Sequence, residues 1–258
     1  MRLMKRILSA AAVLALSASL LVGCSSGTAS SVPVSASSAA ESTVSSVEET
    51  ASSAVDENEA AAAQLLNDLT GSYQELWPVI PADEYKQTWL DDCTALVGED
   101  NAEAAFEKLS SMVTGDVYGE DAVKAYANGG GAYFCGFTNS LATLTFDGET
   151  STISGTDKDG NVLFSHTYHY IGMEPVHGLY EFESDDADSG EFTYFFLAPD
   201  TSAETYHIEF RYGSDAEALS QYDAGEYAYW VASGIATDCD QTMIDNCIEL
   251  FCTENLAG

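Results

Sequence analysis

His207 and Glu209 stand two residues apart in the run Thr205-Tyr-His-Ile-Glu-Phe-Arg-Tyr-Gly-Ser-Asp215, where Ile208, Phe210 and Tyr212 alternate with polar neighbours. Period-two alternation marks a half-buried strand, and side chains at i and i+2 leave the same face roughly 6.5 Å apart. At that spacing an imidazole nitrogen and a carboxylate oxygen can converge on one divalent ion, for zinc at about 2.0 to 2.2 Å each. The competing reading is an ordinary sheet face, with Glu209 paired to Arg211 and His207 solvated.

The remaining histidines fit a shared site less well. His166 and His169 are three apart on an expected strand and so face opposite sides, while His177 precedes Gly178 in an expected turn. Two acidic runs, Asp157-Lys-Asp-Gly-Asn161 and Ser184-Asp-Asp-Ala-Asp-Ser-Gly190, contain fragments of a calcium-loop pattern. Both lack the full ligand alternation and the closing bidentate glutamate, so they read as hairpin turns. Beyond Cys24 the cysteines are Cys93, Cys135, Cys239, Cys247 and Cys252. None forms a C-x-x-C pair, so structural bridges or buried thiols are expected rather than a cysteine metal cluster. No nucleophile elbow or phosphate-binding glycine loop is present, and the chain does not read as an enzyme.

The elements that must hold this strand follow from periodicity. Glu57–Asp68, Asp83–Leu96 and Ala102–Val113 carry helically spaced apolar residues. After Gly129-Gly130-Gly131 the period shortens to two. Strands are expected over Ala132–Phe137, Leu141–Phe146, Ser151–Ser154, Val162–Tyr170, Gly178–Glu183, Phe192–Leu197, Tyr206–Tyr212 and Tyr227–Val231, with turns at Asp147-Gly148, Asp159-Gly160 and Ser189-Gly190. A last helix is expected over Cys239–Cys252, capped by Thr237 or Asp238. The fold class is therefore mainly β: an antiparallel barrel or sandwich with an N-terminal helical portion and a C-terminal helix.

The chain opens with Arg2, Lys5 and Arg6, then an apolar run from Ile7 to Val22, short for a membrane span of about 20 residues. The run ends Leu21-Val22-Gly23-Cys24, which resembles a bacterial lipobox. Residues 1–23 then form a lipoprotein signal peptide, and Cys24 becomes the diacylglycerol-bearing first residue of an extracytoplasmic protein anchored to the cell membrane. Residues 24–60 form a Ser/Ala/Thr-rich linker without aromatic residues, too poor in apolar surface to fold alone. Its root-mean-square reach is on the order of 30 to 35 Å, which keeps the domain at 61–258 near the membrane. Past the signal only five basic residues remain against 42 acidic ones, a formal balance of −37. That field repels nucleic acid and concentrates cations, but selectivity among cations must come from close ligands.

Gly71-Ser-Tyr-Gln-Glu-Leu-Trp-Pro-Val-Ile80 resembles the opening motif of the ZinT family of zinc-binding, lipocalin-like (calycin) domains. The similarity continues through Gly178-Leu-Tyr-Glu-Phe-Glu183, Leu197-Ala-Pro199 and His207–Asp215, spanning about residues 67 to 253. It implies a calycin barrel that binds zinc or another divalent cation, with an ABC-type membrane importer as the expected recipient. The family holds zinc with one histidine before the Ala-Pro step and a His-x-His pair on the next strand. In this sequence those positions carry Phe195, His207 and Glu209. The alternative function is a calycin-like barrel that has lost its metal site and takes a small apolar or aromatic ligand, lined by Tyr168, Tyr170 and Tyr180.

Overall fold

The computed structural model describes residues 57–127, 131–198 and 207–256. The expected signal peptide, Cys24 and nearly all of the linker lie outside the described residues, as do Gly129, Gly130 and the 199–206 connection.

Helix α1 covers 57–68 and leads into strand β1, Gly71–Glu75. A single 3-10 turn, Asp83–Tyr85, precedes α2, Lys86–Val97, and α3, Glu99–Ser111, follows across Gly98. A short α4, Glu120–Ala125, ends the helical portion. Strands β2 (Thr143–Asp147), β3 (Thr152–Thr156), β4 (Val162–Met173), β5 (Tyr180–Ser184), β6 (Tyr194–Leu197) and β7 (His207–Gly213) come next. One helical turn, α5, Ala216–Leu219, separates β7 from β8, Ala232–Ala236, and α6, Gln241–Leu256, closes the chain.

The strands pair antiparallel in sequence order and close into a barrel through β1 and β8, with Tyr73 opposite Ala236 and Glu75 opposite Gly234. Closure leaves no sheet edge exposed, which is why eight short strands can stand without further covering sheets. Alternate residues fill the interior with rings: Phe146, Phe164, Tyr168, Phe182, Phe195, Phe210 and Tyr212 are all buried. Phe195 stacks on Tyr212 with centroids 5.4 Å apart, and Phe164 on Phe192 at 4.0 Å. A second apolar layer lies against the outside of the wall. There α2, α3 and α6 contribute Trp89, Cys93, Leu109, Ile248 and Cys252, which pack with Leu76, Ile80 and the β8 residue Ile235.

The barrel and the flanking helices agree with the sequence expectation, but two strands are exchanged. Ala132–Phe137 was expected as a strand and instead makes isolated bridges, Phe134 with Thr114 and with Trp230. Its amides are drawn elsewhere, Tyr133 N–H to the Met112 carbonyl and Phe134 N–H to that of Tyr229. The vacated place belongs to Gly71–Glu75, whose one deeply inward residue, Tyr73, gives no alternating apolar signal. Likewise Tyr227–Val231 is not a strand: Tyr229 has a φ of 60°, and regular pairing begins only at Ala232. The cap of α6 is Asp240, whose carboxylate accepts the Met243 N–H at 3.0 Å, rather than Thr237 or Asp238.

Candidate metal centre

Strand β7 sorts its side chains as the alternation requires. Ile208, Phe210 and Tyr212 enter the ring-filled interior, so His207, Glu209 and Arg211 project from the outer face. His207 lies directly opposite Ile235 of β8 and Glu209 opposite Ser233. Ile235 belongs to the helical layer, and Glu209 is close enough to Cys247 of α6 and to Cys135 for its charge to act on both thiols. The two expected ligands therefore share one face, at the seam between the barrel wall and the C-terminal helix.

That environment sets the protonation of His207. The residue keeps intermediate exposure overall, yet desolvation of its ring lowers the pKa from 6.5 to about 4. The imidazole is neutral at physiological pH, the form that donates a lone pair to a metal. Nearby thiols are held in the opposite sense: burial, with Glu209 next, pushes Cys247 up to about 12, and the same two causes raise Cys135. Both are thiols rather than thiolates at neutral pH.

Arg211 does not serve as the counter-charge of Glu209. It is fully buried, and its guanidinium donates to the carbonyls of Leu219, Gln221 and Tyr227 while lying 4.3 Å from the Tyr222 ring centroid. The carboxylate that acts on it is Glu174, itself buried and accepting the N–H groups of Val176 and His177. Arg211 thus ties down the 216–231 segment from outside the wall.

The other histidines are separated from this face. His166 Nδ1 meets Asp186 at 2.7 Å and His169 Nδ1 meets Asp185 at 2.8 Å, each with its own carboxylate, as opposite orientations on β4 dictate. His177 sets its ring edge-on to Tyr222 with centroids 4.1 Å apart. In the turn after β3, Asp157 accepts the Asn161 side-chain amide and the N–H groups of Asn161 and Asp159, and those bonds, the Asn161 side chain first, lower its pKa. That carboxylate is consumed by the turn itself, as the hairpin reading requires.

Phe195 sits at the position where the family resemblance implies a histidine, but it is fully buried and pairs with Tyr212 on the inner face. Among the described residues, no group of three or more His, Cys, Asp and Glu side chains is placed to hold one ion. Of the three positions the resemblance implies, only His207 and Glu209 carry side chains with donor atoms on the outer face. The barrel lumen offers little to the alternative ligand: Tyr168 is buried with its hydroxyl donating to the Phe192 carbonyl, and Tyr170 and Tyr180 pack on one another at 5.9 Å.

No family model matches the sequence, and no curated protein does. The structure is similar to the Zn(II)-bound ZinT-like domain of AdcA from Streptococcus pneumoniae, at 16% identity and a TM-score of 0.45, covering 71% of this chain and 89% of that one. It is also similar to Zn(II)-bound AdcA from the same organism, at 16% identity and a TM-score of 0.41, covering 72% of this chain and 35% of that one. This chain thus spans about a third of that longer protein.

Proposed function

We propose that this protein is an extracytoplasmic, lipid-anchored binder of a divalent cation, zinc foremost, which it captures near the membrane and releases to an ABC-type importer. The observation that carries the binding reading is the pairing of a neutral imidazole, His207, with a carboxylate, Glu209, on one face of β7. Neutral imidazole and carboxylate are both first-rank zinc donors. The tether rests on the lipobox at Leu21–Cys24, and delivery to an importer on the motif resemblance.

With two protein donors the remaining coordination positions fall to water, so binding is weaker and less selective than with three imidazoles. The acidic surface partly offsets this by raising the local cation concentration. Weak, exchangeable binding suits a protein that passes its ion on.

Calorimetric titration of the chain with zinc tests the site. A saturable one-to-one isotherm in the wild type, abolished in His207→Ala/Glu209→Ala, is the expected result. Equal binding by wild type and double variant would remove the metal from this face.

A further inference from the structure

Cys93 and Cys252 are 159 positions apart in sequence, yet their sulfur atoms lie 4.0 Å from one another inside the helical layer, Cys93 on α2 and Cys252 on α6. Both side chains are completely buried among Trp89, Leu109 and Ile248. We propose that Cys93 and Cys252 form a disulfide in the exported protein, a covalent staple that fixes the C-terminal helix to α2. A change of side-chain rotamer about each Cα–Cβ bond moves sulfur by far more than the roughly 2 Å needed to reach bonding distance.

The staple has a functional consequence. Helix α6 is also the element whose Cys247 lies near Glu209 on the outer face of β7. Fixing α6 holds that neighbour of Glu209 in one position. Because the loop it closes contains all of β2 to β8, the bond also restrains nearly the whole barrel in the unfolded chain.

The oxidant is a disulfide-bearing thiol oxidase or a small-molecule disulfide of the glutathione class. The thiolate of one cysteine attacks the oxidant's S–S bond, forming a mixed disulfide and releasing the first oxidant thiol. The second cysteine's thiolate then attacks that mixed disulfide, forming the Cys93–Cys252 bond and releasing the second thiol. Two electrons and the two thiol protons pass to the oxidant, which leaves as two thiols. Burial raises the pKa of both cysteines, so the exchange belongs to the stage before α6 docks, and the finished bond is shielded from reductant. Cys135, Cys239 and Cys247 remain as thiols.

The inference rests on the export part of the proposed function, since a reducing compartment would keep the thiols apart. The test is non-reducing peptide mapping of the full chain, produced in an exporting bacterial host with free thiols alkylated at harvest. A peptide linking Cys93 to Cys252, with Cys135, Cys239 and Cys247 alkylated, is expected. Alkylated Cys93 and Cys252, or either joined to another cysteine, overturns the proposal. The mass of the N-terminal peptide reads lipidation separately, so a cross-linked chain without lipid removes the tether and leaves the staple. As a second measurement, wild type refolded in reductant should melt about 10 °C below the oxidised form, a gap absent from Cys93→Ser/Cys252→Ser. No difference between the two wild-type preparations also overturns the proposal.

Discussion

Phe195 lies directly opposite Tyr212 across β6 and β7, and that pairing turns it to the barrel interior, away from the face that carries His207 and Glu209. A histidine at this position would not meet the other two. We expect Phe195→His to leave zinc affinity unchanged while costing about 3 kcal/mol of stability, because a packed ring is exchanged for a polar one without a partner. Calorimetry and urea unfolding read the two effects independently; a gain in zinc affinity would mean that residue 195 reaches the outer face.

His207 makes stability depend on pH in a defined direction. Its ring protonates at 6.5 in the unfolded chain but only at about 4 in the fold, so between those values the unfolded state binds the extra proton. Stability contributed by this group is present above the upper value and is lost as pH falls toward the lower one, by up to about 3 kcal/mol. Urea unfolding at pH 7, 5.5 and 4.5 should show a decline in wild type relative to His207→Gln. Parallel curves for the two proteins would contradict the assignment.

The proposed zinc binding at His207 carries a pH prediction from the same burial. Because the ring stays neutral well below its ordinary pKa, zinc affinity should change little between pH 7 and 5.5. A ligand with an unshifted imidazole would lose affinity about tenfold over that range. Titrations at the two values distinguish these outcomes.

Arg211 holds three carbonyls with one guanidinium, which an ammonium group cannot imitate. Arg211→Met should cost about 3 kcal/mol or more by leaving those carbonyls unpaired, and Arg211→Lys should recover little of it. Tryptophan fluorescence during denaturation, with Trp230 buried beside Tyr212 and Tyr227, provides the readout. Full recovery by lysine would show that charge alone matters there.

Gly148 is required by proximity rather than by backbone conformation. A Cβ at this position would sit 2.4 Å from the Asn67 Cα, at the end of α1, whereas the left-handed residue of the same turn is Ser151, with φ of 51°. Gly148→Ala is expected to cost about 2 kcal/mol, and Ser151→Gly to be neutral or stabilising by up to about 1 kcal/mol. Thermal unfolding of the two variants would expose a reversal of that order.

Much of this architecture was legible in the residues. Period-two alternation placed β2 to β7 within a few positions, and helical spacing found α1, α2, α3 and α6. These signals are local, because a strand or helix that buries one face writes its own period into the chain. His207 and Glu209 were placed on a common face for the same reason: parity along a strand needs no knowledge of its neighbours. Strand β1 escaped because Gly71–Glu75 is selected by its partners β2 and β8, with only Tyr73 deeply buried.

Parity says which residues share a face but not where that face looks. Tertiary packing settled that point: closure of the barrel sent Phe210 and Tyr212 inward and left His207 beside Ile235 on the outer face, with Glu209 near Cys247 of the C-terminal helix. It also separated Phe195 from them, gave Arg211 to the carbonyls of Leu219, Gln221 and Tyr227, and brought Cys93 to Cys252. Each of these depends on contacts between segments far apart in the chain, and such contacts are set by how whole surfaces fit together rather than by any local run of residues.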